Sequence, residues 1–192
     1  MICGVQHFGI TVSDMERSLK FYIDILGGKL ITSGMGFKGP EIHRSLLQRD
    51  EELGSLSIPD LRSCAHELDV HFIQFPNAVI ELLRYHTPDG ETVPDRHAST
   101  SPAIPNSMHV CFHIKTGVDL EQFVANIEQE SHALGMTQVK CNPIFRVAGT
   151  GGDFDGWNLI YVKGCDGEQL EFVQVIDKAF EVFDKAARSY GA

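Results

Sequence analysis

Val5-Gln6-His7-Phe8-Gly9-Ile10-Thr11-Val12-Ser13-Asp14-Met15-Glu16-Arg17-Ser18-Leu19-Lys20-Phe21-Tyr22-Ile23-Asp24-Ile25-Leu26 reads as one strand feeding directly into one helix. Side chains alternate across a strand, so His7, Gly9 and Thr11 share one face and Phe8, Ile10 and Val12 the other, which is expected to pack under the helix. Ser13-Asp14-Met15-Glu16 has the capping-box form, with Ser13 placed to accept from the Glu16 amide, and Leu19, Tyr22, Ile23 and Leu26 recur at helical spacing. Gly27-Gly28 stops the helix.

The pattern returns in the second half of the chain. Residues 108–114 form a strand carrying His109 and His113, and residues 119–134 form a helix whose Leu120, Phe123, Val124, Ile127 and Leu134 make the buried stripe. Both copies also end alike, on Val79-Ile80-Glu81-Leu82-Leu83 in the first and Gln169-Leu170-Glu171-Phe172-Val173 in the second. Each half thus offers one His on its first strand and one Glu on its last.

Between these ends the first half holds a strand at residues 29–33, a glycine-bearing loop at 34–39, and strands at 68–75 and 79–85 joined by Pro76-Asn77. Residues 40–66 are irregular, with a helix at 41–53, and read as an insertion. The second half holds strands at 138–141, 159–162 and 169–175. Its loop carrying Gly149, Gly151, Gly152 and Gly156 is expected to line a pocket mouth as a mobile segment. Four of the eight prolines fall between residues 86 and 106, the composition of a linker. The expected plan is α+β: a first βαβββ module over residues 1–90, a linker over 91–106, a second module over 107–176, and an amphipathic helix over 177–192 with Phe180, Val182, Phe183 and Ala186 at helical spacing.

Composition narrows the partners. With 16 basic against 26 acidic residues, a net charge of -10 and no Lys/Arg block, the chain does not suit a phosphate backbone. Apolar runs are strand-length and the start lacks the basic and apolar regions of a signal peptide, so neither a membrane nor export is expected. Five cysteines without paired spacing fit reduced thiols in a cytoplasmic protein.

A carboxylate among Val, Ile and Leu on the inner face of a sheet is costly unless a cation or donor offsets it. Two such carboxylates, each matched by a His at the start of its module, are explained together if His7, Glu81, His109 and Glu171 ligate one divalent cation. Two imidazoles and two carboxylates suit Ni, Co, Mn, Fe or Zn better than Ca. Each position has a plainer reading: His7 as a hydrogen-bonded histidine, Glu81 as a solvent-facing partner of Arg84, His113 in place of His109, and Glu168 in place of Glu171. The matched placement in both halves favours ligation.

The His-bearing strand, the capped helix with Phe21-Tyr22 near its end, the glycine after it, the Ile80-Glu81-Leu82-Leu83 strand and the Asp166-Gly167-Glu168-Gln169-Leu170-Glu171-Phe172-Val173 ending resemble the vicinal oxygen chelate superfamily, which includes glyoxalase I, methylmalonyl-CoA epimerase, extradiol dioxygenases and bleomycin- and fosfomycin-resistance proteins. The resemblance covers the chain apart from the insertion, the linker and the last helix. It implies two βαβββ modules forming a curved mixed sheet around a metal, paired within one chain or across a homodimer, and ligand roles for His7, Glu81, His109 and Glu171. The turn at Gly164-Cys165-Asp166-Gly167 departs from the Asp-Pro-Asp-Gly of many relatives, outside the ligand positions.

Four protein ligands leave about two places on an octahedral ion, enough for a small substrate to chelate through neighbouring oxygens. That suits glyoxalase-like lyase/isomerase or epimerase chemistry through an enediolate, with Glu171 or Glu81 as the catalytic carboxylate that moves the proton. An extradiol dioxygenase needs a further open place, which a Glu81 ligand would occupy. The alternatives that the resemblance leaves are a thiol or water transferase of the fosfomycin-resistance kind, whose site in the family carries three protein ligands, and a metal-free binding protein of the bleomycin-resistance kind.

Overall fold

The strand and helix just quoted open the first of two compact units, Met1–Arg96 and His97–Ala192. The computed structural model describes residues 5–54, 58–63, 65–88 and 108–188, so the expected linker at 91–106 lies outside the described residues.

In the first unit, β1 (His7–Thr11) leads into a helix, and β2 (Lys29–Phe37), β3 (Glu67–Gln74) and β4 (Val79–His86) complete a sheet of order β1-β4-β3-β2. β1 runs parallel to β4, and the other neighbours are antiparallel. The helix begins as α1 (Met15–Leu19) and widens into a π-helical segment, Lys20–Ile25. Its wider turn, closed by the Leu26 amide on the Phe21 carbonyl at 3.0 Å, shifts the inward face. Phe21, Tyr22 and Ser18 are therefore the buried residues, where a regular helix would have buried Leu19, Tyr22, Ile23 and Leu26.

The capping box also differs from its expected form. Asp14 is the N-cap, in extended geometry, and its carboxylate accepts from the Arg17 amide at 3.0 Å. Ser13 stands one residue earlier, where its hydroxyl accepts from the Arg17 guanidinium at 2.8 Å.

β2 runs on through the expected glycine loop, because register shifts between Gly34 and Phe37 absorb the irregularity instead of ending the pairing with β3. Gly34 lies under the Phe37 ring, which a β-carbon there would meet at 2.2 Å. The expected insertion folds as α2 (Pro40–Leu46), α3 (Gln48–Glu52) and a 3-10 turn, Leu61–Ser63, with its helical stretch broken at Leu47.

The second unit repeats the plan. β5 (Val110–His113), α4 (Leu120–Ala133), β6 (Lys140–Cys141), β7 (Phe145–Arg146), β8 (Trp157–Lys163) and β9 (Gln169–Val175) build a sheet of order β5-β9-β8-β6, with β7 also on β8. β5 is parallel to β9. Asp119 caps α4 by accepting from the Gln122 amide, and the buried stripe is Leu120, Ile127 and Ser131. Leu134, expected in that stripe, is 50% exposed because it sits at the C-cap, where the chain turns through Gly135 at φ 84. β7 lies inside what reads in sequence as loop. The chain ends its described part with α5 (Asp177–Arg188). Only Ala179 of that helix is buried, while Phe180 and Phe183 are about half exposed.

Among the described residues, no helix is long and apolar enough to cross a membrane.

Candidate metal-binding pairs

Strand pairing settles what each candidate side chain meets. In the first unit Gly9 is registered with Glu81, and Glu81 with Phe72 on the next strand. Registered neighbours project to the same side of a sheet, and His7, two residues before Gly9, projects there too. The His7 Nε2 lies 3.2 Å from Glu81 Oε2, and the imidazole stands edge-on to the Phe72 ring, 5.8 Å between centroids. Its Nδ1 faces the Gln6 amide oxygen.

The second unit has the same constellation at the same register. Cys111 is registered with Glu171, and Glu171 with Tyr161. His109 Nε2 lies 3.0 Å from Glu171 Oε2, and its ring stands edge-on to Tyr161 at 5.4 Å. The rival positions resolve by geometry. His109, not His113, meets Glu171. Glu168 is occupied by its own turn, where its carboxylate accepts from the Asp166 amide at 2.8 Å. Glu81 meets His7.

The two carboxylates differ in surroundings. Glu171 is 7% exposed and is registered with Cys111 on the neighbouring strand. Burial of the sulfur and then the carboxylate push that thiol up to about 12, although part of Cys111 stays open to solvent. Burial and the Glu171 charge likewise raise the Tyr161 phenol. Glu81 is half-buried, and at Gly9 no side chain stands beside it: a β-carbon there would come within 3.2 Å of Glu81 Oε2. Burial, followed by the charge of Glu81, raises Tyr85.

The donor set fits a divalent cation in each pair. Bonds of about 2.1 Å at right angles put neighbouring donor atoms about 3 Å apart, and both N···O separations are close to that. Imidazole with carboxylate is also borderline-hard chemistry of the kind that Mn, Fe, Co, Ni and Zn accept. Among the described residues no group of three or more His, Cys, Asp or Glu stands together as a metal site, so each unit offers its pair.

Beyond each pair, the same face turns apolar, and each unit covers that end differently. In the first, Leu61 of the insertion packs with Leu68 and Val70, joined by Ile42, Leu47, Leu83 and Tyr85. In the second, Ala179 of α5 packs with Val173 and Val175, beside Trp157 and Leu159. The registers make these positions equivalent: Leu68 pairs Tyr85 as Trp157 pairs Val175. The insertion and the terminal helix thus do the same work, which no local pattern in either segment signals.

The glycine loop of the second unit carries hydrogen bonds of its own. The Asp155 carboxylate accepts from the Thr150 amide and hydroxyl and the Gly151 amide, at 2.7 to 2.9 Å. The loop helps line a cavity of about 630 Å³ with Asn158 and Gln174. Those two alternate with Tyr161 and Glu171 along their strands, so the cavity is on the opposite face from the His109–Glu171 pair.

Three of the remaining histidines meet partners of their own. His86 meets Asp69 at 2.6 Å, His132 meets the Val139 carbonyl at 2.9 Å, and buried His43 faces Glu51 and Asp60. His97 lies outside the described residues.

Comparison with known proteins agrees with this architecture. The family described as Glyoxalase/Bleomycin resistance protein/Dioxygenase superfamily matches residues 4–135, a stretch that includes His7, Glu81 and His109 and stops before Glu171. No curated protein matches the sequence significantly. Among solved structures, a glyoxalase family protein from Bacillus cereus aligns at TM-score 0.60 and 16% identity over 92% of this chain and 97% of its own. A glyoxalase family protein from Enterococcus faecalis aligns at TM-score 0.50 and 14% identity over 89% and 97%. A glyoxylase/bleomycin resistance protein/dioxygenase domain from Frankia sp. EAN1pec aligns at TM-score 0.50 and 15% identity over 92% and 100%. At these identities the likeness is one of fold.

Proposed function

The chain belongs to the glyoxalase/bleomycin resistance protein/dioxygenase superfamily, and on that premise we propose that it is a metal-dependent enzyme moving a proton next to a carbonyl, a glyoxalase-like lyase/isomerase or epimerase of a small oxygenated substrate. The observation that carries this reading is the repeated pair: His7 with Glu81 and His109 with Glu171, at equivalent register positions, with N···O separations of 3.2 and 3.0 Å.

His7, Glu81, His109 and Glu171 are the proposed ligands of a divalent cation. When bound, such a cation supplies Lewis-acid polarisation of a substrate carbonyl and so acidifies the neighbouring C–H. The chain's own groups do the rest. Phe72 and Tyr161 hold the imidazoles edge-on, which limits ring rotation and keeps each Nε2 directed at its carboxylate. A carboxylate, Glu171 or Glu81, accepts the proton as the C–H bonding pair moves into the enediolate, then returns a proton to the adjacent carbon or oxygen.

Solvent-deuterium exchange tests this directly. Dihydroxyacetone incubated in deuterium oxide should take up deuterium with the metal-loaded protein and stop doing so after chelation. Metal-dependent oxygen uptake with a catechol and no exchange would overturn the reading in favour of a dioxygenase.

A further inference from the structure

Asn158 and Gln174 are registered with one another on β8 and β9, on the sheet face opposite the His109–Glu171 pair, and both line the cavity of about 630 Å³. We propose that this cavity is a second small-molecule site, one that takes an uncharged polyhydroxylated compound of the sugar or polyol class by its hydroxyl groups. It lies within one unit and depends on neither the metal nor the proton-transfer reading.

The two carboxamides supply the recognition. Asn158 and Gln174 are 7% and 8% exposed. The Asn158 amide group donates to the Gly156 and Gln174 carbonyls at 3.4 and 3.3 Å, and that of Gln174 donates to the Lys115 and Val118 carbonyls at 2.9 and 3.0 Å. Because all four partners are acceptors, they fix which end of each carboxamide is nitrogen. The other ends, Asn158 Oδ1 and Gln174 Oε1, accept no hydrogen bond among the described residues. A buried acceptor needs a donor from water or a ligand, and a cavity of this volume is in the range of small-molecule sites. Registered neighbours hold their β-carbons about 5 Å apart, a spacing that neighbouring hydroxyls on one ring can bridge.

The first unit shows the same place closed. There the register pair equivalent to Asn158 and Gln174 is Asp69 and Arg84. Continuous β2 runs past it, and the Gly36 amide donates to one Asp69 oxygen at 2.7 Å while His86 meets the other at 2.6 Å. In the second unit the sheet edge is two short pieces, β6 and β7, and Val147, Ala148 and Gly149 after β7 line the cavity. The acceptors are kept where the protein's own donors are not.

Charge in the lining is largely matched. Asp119 caps α4, Asp155 is taken by Thr150 and Gly151, and Glu121 meets Arg146 at 2.7 Å. Asp177 and Lys178 stand exposed at the rim, adjacent and of opposite sign. An ionic ligand would have to displace an existing pairing, whereas hydroxyls need only the two carboxamide oxygens. Val118, Leu120, Val147 and Ile176 add apolar wall against which the C–H face of a ring packs.

The test is titration of the full-length nitrogen-15-labelled protein with methyl β-D-glucopyranoside and with myo-inositol, followed by NMR. Saturable shifts are expected at the Asn158 and Gln174 carboxamides and at the amides of Val147, Ala148 and Gly149, with the His109 ring signals unmoved. Asn158→Leu should weaken binding about tenfold, the scale of one hydrogen bond. Ala148→Phe, which fills the cavity from an exposed position, should abolish binding, and it decides the matter if Asn158→Leu fails to fold. Glucosamine and glucuronate, charged relatives of similar size, should bind more weakly. The proposal is overturned if neither uncharged compound shifts the cavity signals, if a charged one binds more tightly, if the shifts centre on His109, or if Ala148→Phe leaves binding intact.

Discussion

The two units differ most where they are most alike. Both place a His on the first strand beside a Glu on the last, yet the position next to Glu81 is a glycine and the position next to Glu171 is a thiol. Both cover the apolar end of that face, one with Leu61 from an insertion and the other with Ala179 from a terminal helix. Both bury a polar residue on the reverse face of the third strand. Asp69 accepts from the Gly36 amide at 2.7 Å and meets His86, whereas its register counterpart Asn158 donates to the Gly156 and Gln174 carbonyls. A duplicated plan therefore sets where groups stand, and single substitutions set what they do there.

The largest expected effect would break the equivalence of the pairs themselves. His7→Ala combined with His109→Ala should reduce bound divalent metal to near background by elemental analysis. Retained metal in that variant would rule out both pairs as ligands.

Next is the apolar cover. Leu61 is fully buried, and Leu61→Ala should cost about 2–5 kcal/mol in denaturant melts, the range for a core leucine. A loss below about 1 kcal/mol would show that the insertion covers the first sheet only loosely.

Asp69 gives the comparison a pH axis. Burial works against its charge, but the Gly36 amide and the His86 ring hold the carboxyl below the usual Asp range. A depressed folded pKa contributes stability that is full above the unfolded value, near 4, and is lost as pH falls through the folded one. Thermal melts from about pH 6 to about pH 3 should show this loss, and Asp69→Asn should flatten it. An unchanged acid slope in Asp69→Asn would place the acid sensitivity elsewhere.

The smallest effect is at Phe183. Its ring packs on Trp157 at 5.0 Å but is half exposed. Phe183→Ala should cost about 1 kcal/mol, well below Leu61→Ala, as partial burial requires. Equal losses would mean that the terminal helix is as deeply committed as the insertion.

Much of the fold is legible from local pattern. The strand at His7, the strand at Glu171, the helix before Gly135 and the glycine stops each depend on a few neighbouring residues, and all reappear in the structure. The misreadings have a common origin in longer-range demands. The π-helical turn at Lys20–Ile25 brings Phe21 and Tyr22 inward together, and the bulged pairing of Lys29–Phe37 with β3 carries a strand through glycines that read as a loop. Phe145–Arg146 becomes a strand only because β8 offers it an edge.

The duplication and the four side chains that carry the proposed chemistry can be read along the chain, because strand alternation and helix periodicity are enforced by sterics within a few residues. Which atoms those side chains meet depends on the packed sheets. Cys111 and Glu171 are far apart in the chain, as are Gly9 and Glu81, and only the parallel pairing of first and last strands sets a thiol beside one carboxylate and a bare backbone beside the other. Register between distant strands is a property of the packed sheet, not of either strand.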